Sequence, residues 1–213
     1  METEVRFYYS IDSEKKIVDR LKNIDGLNYE DRYYERTDQY NHPMKEYDFY
    51  TKEIDGRFRV RITKNDTKSK CMITWKRRIN NKTSKIHQEE EVELAIKPEE
   101  YDNLSFLLDN VLHMKLVESY ERYRSVFHND DVEIVVDYYP FGIAIEIENK
   151  SKTKDAISVV TEWVNKIGLN IEEAYHLSWD DKYAELCKEQ NKKVESIVTF
   201  DKDMPKVDIE FLK

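Results

Sequence analysis

The chain is poor in the residues that make phosphate-cradling loops, covalent staples and membrane spans. Only four Gly and four Pro occur in 213 residues, which excludes collagen-like and low-complexity classes. A P-loop is excluded too, because its backbone needs closely spaced glycines. The two cysteines, Cys71 and Cys187, stand far apart, with no CxxC pair and no histidine spacing of a zinc site. Reduced thiols are therefore expected. No apolar run approaches the roughly 20 residues that cross a bilayer, and the sequence starts Met1-Glu2-Thr3-Glu4 rather than with a basic and then apolar leader. These absences lead to the expectation of a soluble, cytoplasmic protein with no membrane partner.

What is present is charge and aromatic mass. Lys and Arg number 35 against 44 Asp and Glu, a net charge of -9, while 39% of residues are hydrophobic and 15 are Tyr. That is too much apolar material for a disordered acidic chain. The acidic total speaks against a sequence-specific nucleic-acid partner, since phosphate contacts need a basic surface. It leaves room for a local basic pocket. With no repeat, linker or composition break, a single domain over 1–213 is expected, its core spanning about 1–190 and a C-terminal extension covering 191–213.

Periodicity assigns the elements. Val5, Phe7 and Tyr9 alternate with Glu4, Arg6 and Tyr8, the period-two pattern of a strand over 2–9. Ile17, Val18, Leu21 and Ile24 then share one face of a helix that Ser10 or Asp12 can cap and Gly26 can end. Strands are expected over 31–40, 45–53, 57–63, 71–78 and 87–96, with Asp55-Gly56 and Asn80-Asn81 as turn signals. Pro98 opens a helix to about Val111. Further strands are expected over 115–127, 132–138 and 143–148, then helices over Ala156–Ile167 and within 171–188, and a short strand over 196–200. The order is α+β with an antiparallel core. So many strands with so few glycines point to a closed antiparallel β-barrel of about eight strands with flanking helices, which removes exposed edges.

The charges are sorted by strand. Arg59 and Arg61 alternate with Val60 and Ile62, Lys76 follows Trp75, and Arg122 and Arg124 flank Tyr123. Glu91 and Glu93 alternate with Val92 and Leu94, Glu133 and Asp137 with Ile134 and Val136, and Glu146 and Glu148 with Ile145 and Ile147. A solvated face normally mixes polar types; here acids and bases are segregated strand by strand. Helices need an apolar sheet surface to dock on, so the charged faces are expected to line the interior. Fixed charges of both signs are costly there unless paired with each other or with an ion. Arginine and lysine pairs match phosphate oxygens, and carboxylate clusters match a hard divalent cation. Together they suit phosphoryl or nucleotidyl transfer.

The ordered set Glu2-Thr3-Glu4-Val5-Arg6, Arg59-Val60-Arg61, Lys76, Glu91-x-Glu93, Arg122-Tyr123-Arg124, Asp137, Tyr139-Pro140-Phe141-Gly142 and Glu146-Ile147-Glu148 resembles the CYTH superfamily, the triphosphate tunnel metalloenzymes. Lys182-Tyr183-Ala184-Glu185-Leu186 looks like its closing helix. Arg6 and Arg122 depart from the family pattern, which commonly has Lys there, and Asn149 stands where Gly is frequent. The resemblance implies a β tunnel that binds a triphosphate with Mg²⁺ or Mn²⁺. By position, Glu2, Glu4, Asp137, Glu146 and Glu148 resemble metal ligands, with Glu4, Asp137 and Glu148 catalytic. Arg6, Arg59, Arg61, Lys76, Arg122 and Arg124 resemble the phosphate grip, and Glu91 and Glu93 a further tunnel pair. It implies a metal-dependent triphosphatase acting on inorganic triphosphate, ATP or a similar small molecule. The alternatives are a class IV-type adenylyl cyclase and a non-catalytic polyphosphate binder. A homodimer is one allowed state.

Overall fold

The computed structural model describes residues 3–51, 53–78 and 89–211. Glu2, the Asn80-Asn81 turn and His87 lie outside the described residues. The elements run β1 (Glu4–Tyr9), α1 (Glu14–Lys22), β2 (Asn28–Asn41), β3 (Gly56–Lys64), β4 (Ser69–Arg78), β5 (Glu89–Ile96), α2 (Tyr101–Phe106), β6 (Lys115–His128), β7 (Val132–Tyr139), β8 (Gly142–Asn149), α3 (Ala156–Ile167), α4 (Trp179–Glu189) and β9 (Ile197–Val198). The class is α+β, as expected. The strands form one sheet in the order β1-β8-β7-β6-β2-β3-β4-β5, with every neighbouring pair antiparallel. The short β9 adds to β6 in parallel.

The expected closure does not appear in this ladder. β1 and β5 are the ends of the strand order, and no hydrogen-bonded pairing joins them among the described residues. One cause is visible at β1: the Tyr175 N–H donates to the Arg6 carbonyl at 2.8 Å, so the edge that closure would use is taken by the segment before α4. The sheet nevertheless curls far enough that β1 and β5 face one cavity.

The apolar faces lie where the alternation put them. Val5 and Phe7 of β1, Ile134 and Val136 of β7, and Ile145 and Ile147 of β8 form one core with Ile17 and Leu21 of α1 and Val160, Trp163, Val164 and Ile167 of α3. Burial of each such side chain contributes about 1.5–3 kcal/mol. Helix α3 is fixed at both ends: the Asp155 carboxylate accepts from the Ser158 N–H, and Gly168 closes the helix at φ 89°, a left-handed conformation suited to glycine. A second, aromatic core joins Tyr120, Tyr139 and Phe141 to Trp179, Tyr183 and Leu186 of α4.

Two expectations need correction. No strand forms over 45–53 among its described residues; Lys45–Tyr47 is a 3₁₀ turn. Pro43 cannot donate to a ladder, and the Asn41 side chain organises a loop instead, donating to Asp48 at 2.9 Å and accepting from the His42 N–H at 2.9 Å. The helix expected from Pro98 is a 3₁₀ turn, then α2, then a π-helical turn over Leu107–Val111. The helix expected within 171–188 is α4, which starts at Trp179, where Asp181 accepts from both the N–H and the hydroxyl of Ser178.

The segment from 191 onward packs along the body. Met204 and Val207 enter the aromatic core, Val207 N–H donates to the Phe141 carbonyl at 2.8 Å, and Phe211 is buried edge-on against Tyr9 at 5.3 Å. Phe211→Ala should therefore lower unfolding free energy by about 3–5 kcal/mol in urea denaturation. A loss below about 1 kcal/mol would mark the segment as a dispensable tail.

Candidate functional site

The concave side of the curled sheet encloses a cavity of about 310 Å³. Alternation explains its lining. Residues two apart on a strand share a face, so Glu4 and Arg6 of β1, Arg57, Arg59 and Arg61 of β3, Lys76 of β4, Glu91 and Glu93 of β5, Arg122 and Arg124 of β6, and Glu146 and Glu148 of β8 all line it. The sequence reading named every one of these except Arg57. Glu133, read in the sequence as part of a charged face, lines it as well, and so does Tyr139, which was named only within the ordered motif set. The reading missed Tyr120, Lys150, Ser178 and Trp179 as lining residues. Tyr120 was legible as an in-phase neighbour of Arg122; Ser178 and Trp179 come from a helix start that no strand pattern marks.

Asp137 is placed differently from the other predicted residues. It is 0% exposed and is absent from the lining. Its carboxylate accepts from Arg124 Nε at 2.6 Å and from Arg122 Nη1 at 2.8 Å. Its position is that of a counter-ion holding two cavity arginines in place, rather than of a ligand facing the cavity. Glu35 of β2, which the sequence reading did not single out, does the same from the other side. It accepts from Arg122 Nε at 2.7 Å and from the Thr63 hydroxyl at 2.8 Å. Burial pushes the Glu35 carboxyl up, but Arg122, Arg61 and Arg124 outweigh it and hold it well below the usual carboxylate range.

The acids of β1 and β8 form rows with their neighbours. Glu4 pairs in register with Glu148, and Glu148 with Glu133 of β7, so three carboxylates cross three adjacent strands. Burial raises the Glu148 carboxyl above its ordinary value, with Glu4 and Glu133 adding to the rise and Lys150 opposing it. Lys150 Nζ lies 2.7 Å from Glu148 and 3.7 Å from Glu133. One step along, Arg6 pairs in register with Glu146 and contacts it at 2.6 Å. Arg124 reaches the same carboxylate at 3.1 Å, and the cations together hold Glu146 below its usual value despite its burial. Across the cavity, Lys76 Nζ lies 3.0 Å from Glu91.

Among the described residues, no group of three or more His, Cys, Asp or Glu is drawn together as a metal cage. The donor set is nevertheless of the right kind, since crowded carboxylate oxygens are what hard divalent cations take.

No family model matches the sequence, and no curated protein is significantly similar to it. Solved structures are similar in fold. The PH1819 protein from Pyrococcus horikoshii OT3 is 25% identical with a TM-score of 0.63, covering 89% of this chain and 99% of that one. The PH1012 protein from the same organism is 17% identical with a TM-score of 0.62, covering 84% and 97%. A candidate adenylate cyclase from Vibrio parahaemolyticus is 14% identical with a TM-score of 0.59, covering 84% and 96%. This chain shares its fold with these structures, which is consistent with the CYTH superfamily fold that the residues resemble. Among the described residues, no helix is long and apolar enough to cross a membrane.

Removing one partner of the buried network should strand the others. Asp137→Ala is expected to cost about 3–5 kcal/mol of stability by leaving Arg122 and Arg124 underpaired; a change under about 1 kcal/mol in chemical denaturation would refute the counter-ion role. Because the Glu35 pKa is depressed on folding, its contribution is complete above the ordinary carboxyl value of 4.5 and is lost as pH falls below it. Glu35→Gln should therefore lower stability at neutral pH and make the fall below about pH 4.5 less steep. An unchanged pH profile would contradict this.

Proposed function

We propose that the protein is a metal-dependent triphosphate hydrolase that cleaves the terminal phosphoanhydride of inorganic triphosphate or a nucleoside triphosphate inside the cavity. The observation that carries this reading is the lining itself: Arg6, Arg59, Arg61, Lys76, Arg122 and Arg124 converge on one cavity together with a carboxylate row. Guanidinium forks match phosphate oxygens in charge and geometry, and their fixed placement spares reorganisation as negative charge develops. The volume of about 310 Å³ is at the small end for a ligand site, which suits a phosphate chain.

Glu4, Glu146 and Glu148 would hold a divalent cation such as Mg²⁺ or Mn²⁺, which when bound supplies neutralisation of phosphate charge. The chain's own residues do the rest. Arg59, Arg61 and Arg122 grip the phosphate chain, and Asp137 and Glu35 keep the arginines aimed. Glu148, in register with Glu4 and Glu133 on the cavity wall, can orient an attacking water by accepting a hydrogen bond from it.

An adenylyl cyclase is the second reading. It is favoured by the Vibrio parahaemolyticus neighbour and by a candidate adenylate cyclase from Bacillus halodurans, 14% identical with a TM-score of 0.54 over 80% of this chain and 91% of that one. It would use the same grip, with the substrate's 3′-hydroxyl attacking the α-phosphate.

Product analysis separates the readings. Incubation with tripolyphosphate and with ATP, each with Mg²⁺ or Mn²⁺, should release orthophosphate, and Glu4→Ala or Glu148→Ala should reduce the rate by at least about 100-fold with melting behaviour retained. Cyclic AMP with pyrophosphate would establish the cyclase instead. Metal-dependent binding without turnover would leave only a binder.

A further inference from the structure

Tyr120 lines the cavity but takes no part in the pairings described above. It stands in phase with Arg122 and Arg124 on β6, so all three project from the same face. Thr37 of β2 lies directly opposite in register. The Thr37 hydroxyl accepts from Arg61 Nε at 3.1 Å and hydrogen-bonds the Tyr120 phenol. Arg59 and Arg61 of β3 and Arg122 of β6 act on that phenol from around the cavity. Apolar and aromatic neighbours enclose the ring: Trp179 of α4 at 4.3 Å, Tyr139 of β7 at 6.1 Å and Val198 of β9 in register beside it.

The ring is left only 2% exposed, yet the residue lines the same cavity as Arg59, Arg61 and Arg122. Packing alone would be served by Phe, which carries no polar atom to bury. Burial pushes the phenol up, and Arg59, Arg61, Arg122 and the Thr37 hydroxyl outweigh it, bringing it down to about 8. A phenol made more acidic is a better donor to an anionic oxygen.

We propose that Tyr120 is a phosphate-binding residue, its hydroxyl donating to an oxygen of the bound phosphate chain between Arg59, Arg61 and Arg122. The proposal rests on the triphosphate reading above. A consequence follows from charge. The ionised phenol cannot donate, and it competes with phosphate for the same guanidinium groups. Bound phosphate therefore favours the protonated phenol, and binding in alkaline solution takes up a proton.

The test is calorimetric titration of the full chain with a non-hydrolysable imido analogue of tripolyphosphate and Mg²⁺, comparing the wild type with Tyr120→Phe between about pH 7 and 9.5. Two buffers of different ionisation enthalpy report the protons exchanged, and the ligand's own protonation is common to both proteins. The variant should bind about tenfold more weakly near pH 7, with the gap narrowing as pH rises and with less proton uptake than the wild type. Equal affinity and equal uptake would reduce Tyr120 to a packing residue. In the wild type alone, the lowest-titrating tyrosinate absorbance should move to higher pH when the analogue is added, and an unmoved titration would overturn the assignment without recourse to a variant. Failure of the wild type to bind the analogue at all would instead overturn the triphosphate reading, and the proposal with it.

Discussion

The structure depends on one electrostatic constraint: guanidinium groups can be gathered on the inner face of a curled sheet only if carboxylates behind and between them offset the charge. Asp137, fully enclosed, takes Arg122 and Arg124 at 2.8 and 2.6 Å, and Glu35 takes Arg122 from the neighbouring strand at 2.7 Å. Buried ions are costly to desolvate, and such a network persists only when its geometry is well satisfied. Here that geometry also fixes both arginines on the cavity wall. The acidic net charge of the chain is thus compatible with a cation-rich site, because part of the acid is spent inside the sheet as counter-charge.

The opposite face of the same strands obeys a simpler rule. The residues between the charged ones are Val, Ile, Phe and Tyr, and on β1, β7 and β8 they bury against α1 and α3. One strand therefore satisfies two environments through its period of two, and a slip of one residue would put Arg6, Glu146 and Arg124 into the helix-covered core. Register is fixed accordingly, and with it the pairing of Glu4 with Glu148 and of Arg6 with Glu146.

Much of this was legible in the sequence because alternation is a local signal. The inward faces of β3, β6 and β8 could be read directly from Arg59-Val60-Arg61, Arg122-Tyr123-Arg124 and Glu146-Ile147-Glu148. What could not be read depends on long-range placement. Asp137 has the same phase as Glu133, yet Glu133 reaches the cavity while Asp137 is covered by the arginines opposite it. Glu35 sits in a Tyr-rich stretch whose inward face emerges only once β2 is paired with β6. The open ends of the strand ladder among the described residues have a similar cause: the hydrogen bond from Tyr175 to β1 joins positions far apart in the chain, and no local pattern announces it. The strand expected over 45–53 was lost to loop hydrogen bonds made by Asn41.

The central claim is that this two-signed cavity is built to hold a phosphate chain. A crystal structure of the protein with an imido analogue of tripolyphosphate and Mg²⁺ tests it most directly. Phosphate oxygens ligated by Arg6, Arg59, Arg61, Lys76, Arg122 and Arg124, with the cation on Glu4, Glu146 and Glu148, are the predicted result. Analogue bound elsewhere on the protein, with the cavity ion pairs unchanged, would contradict the account.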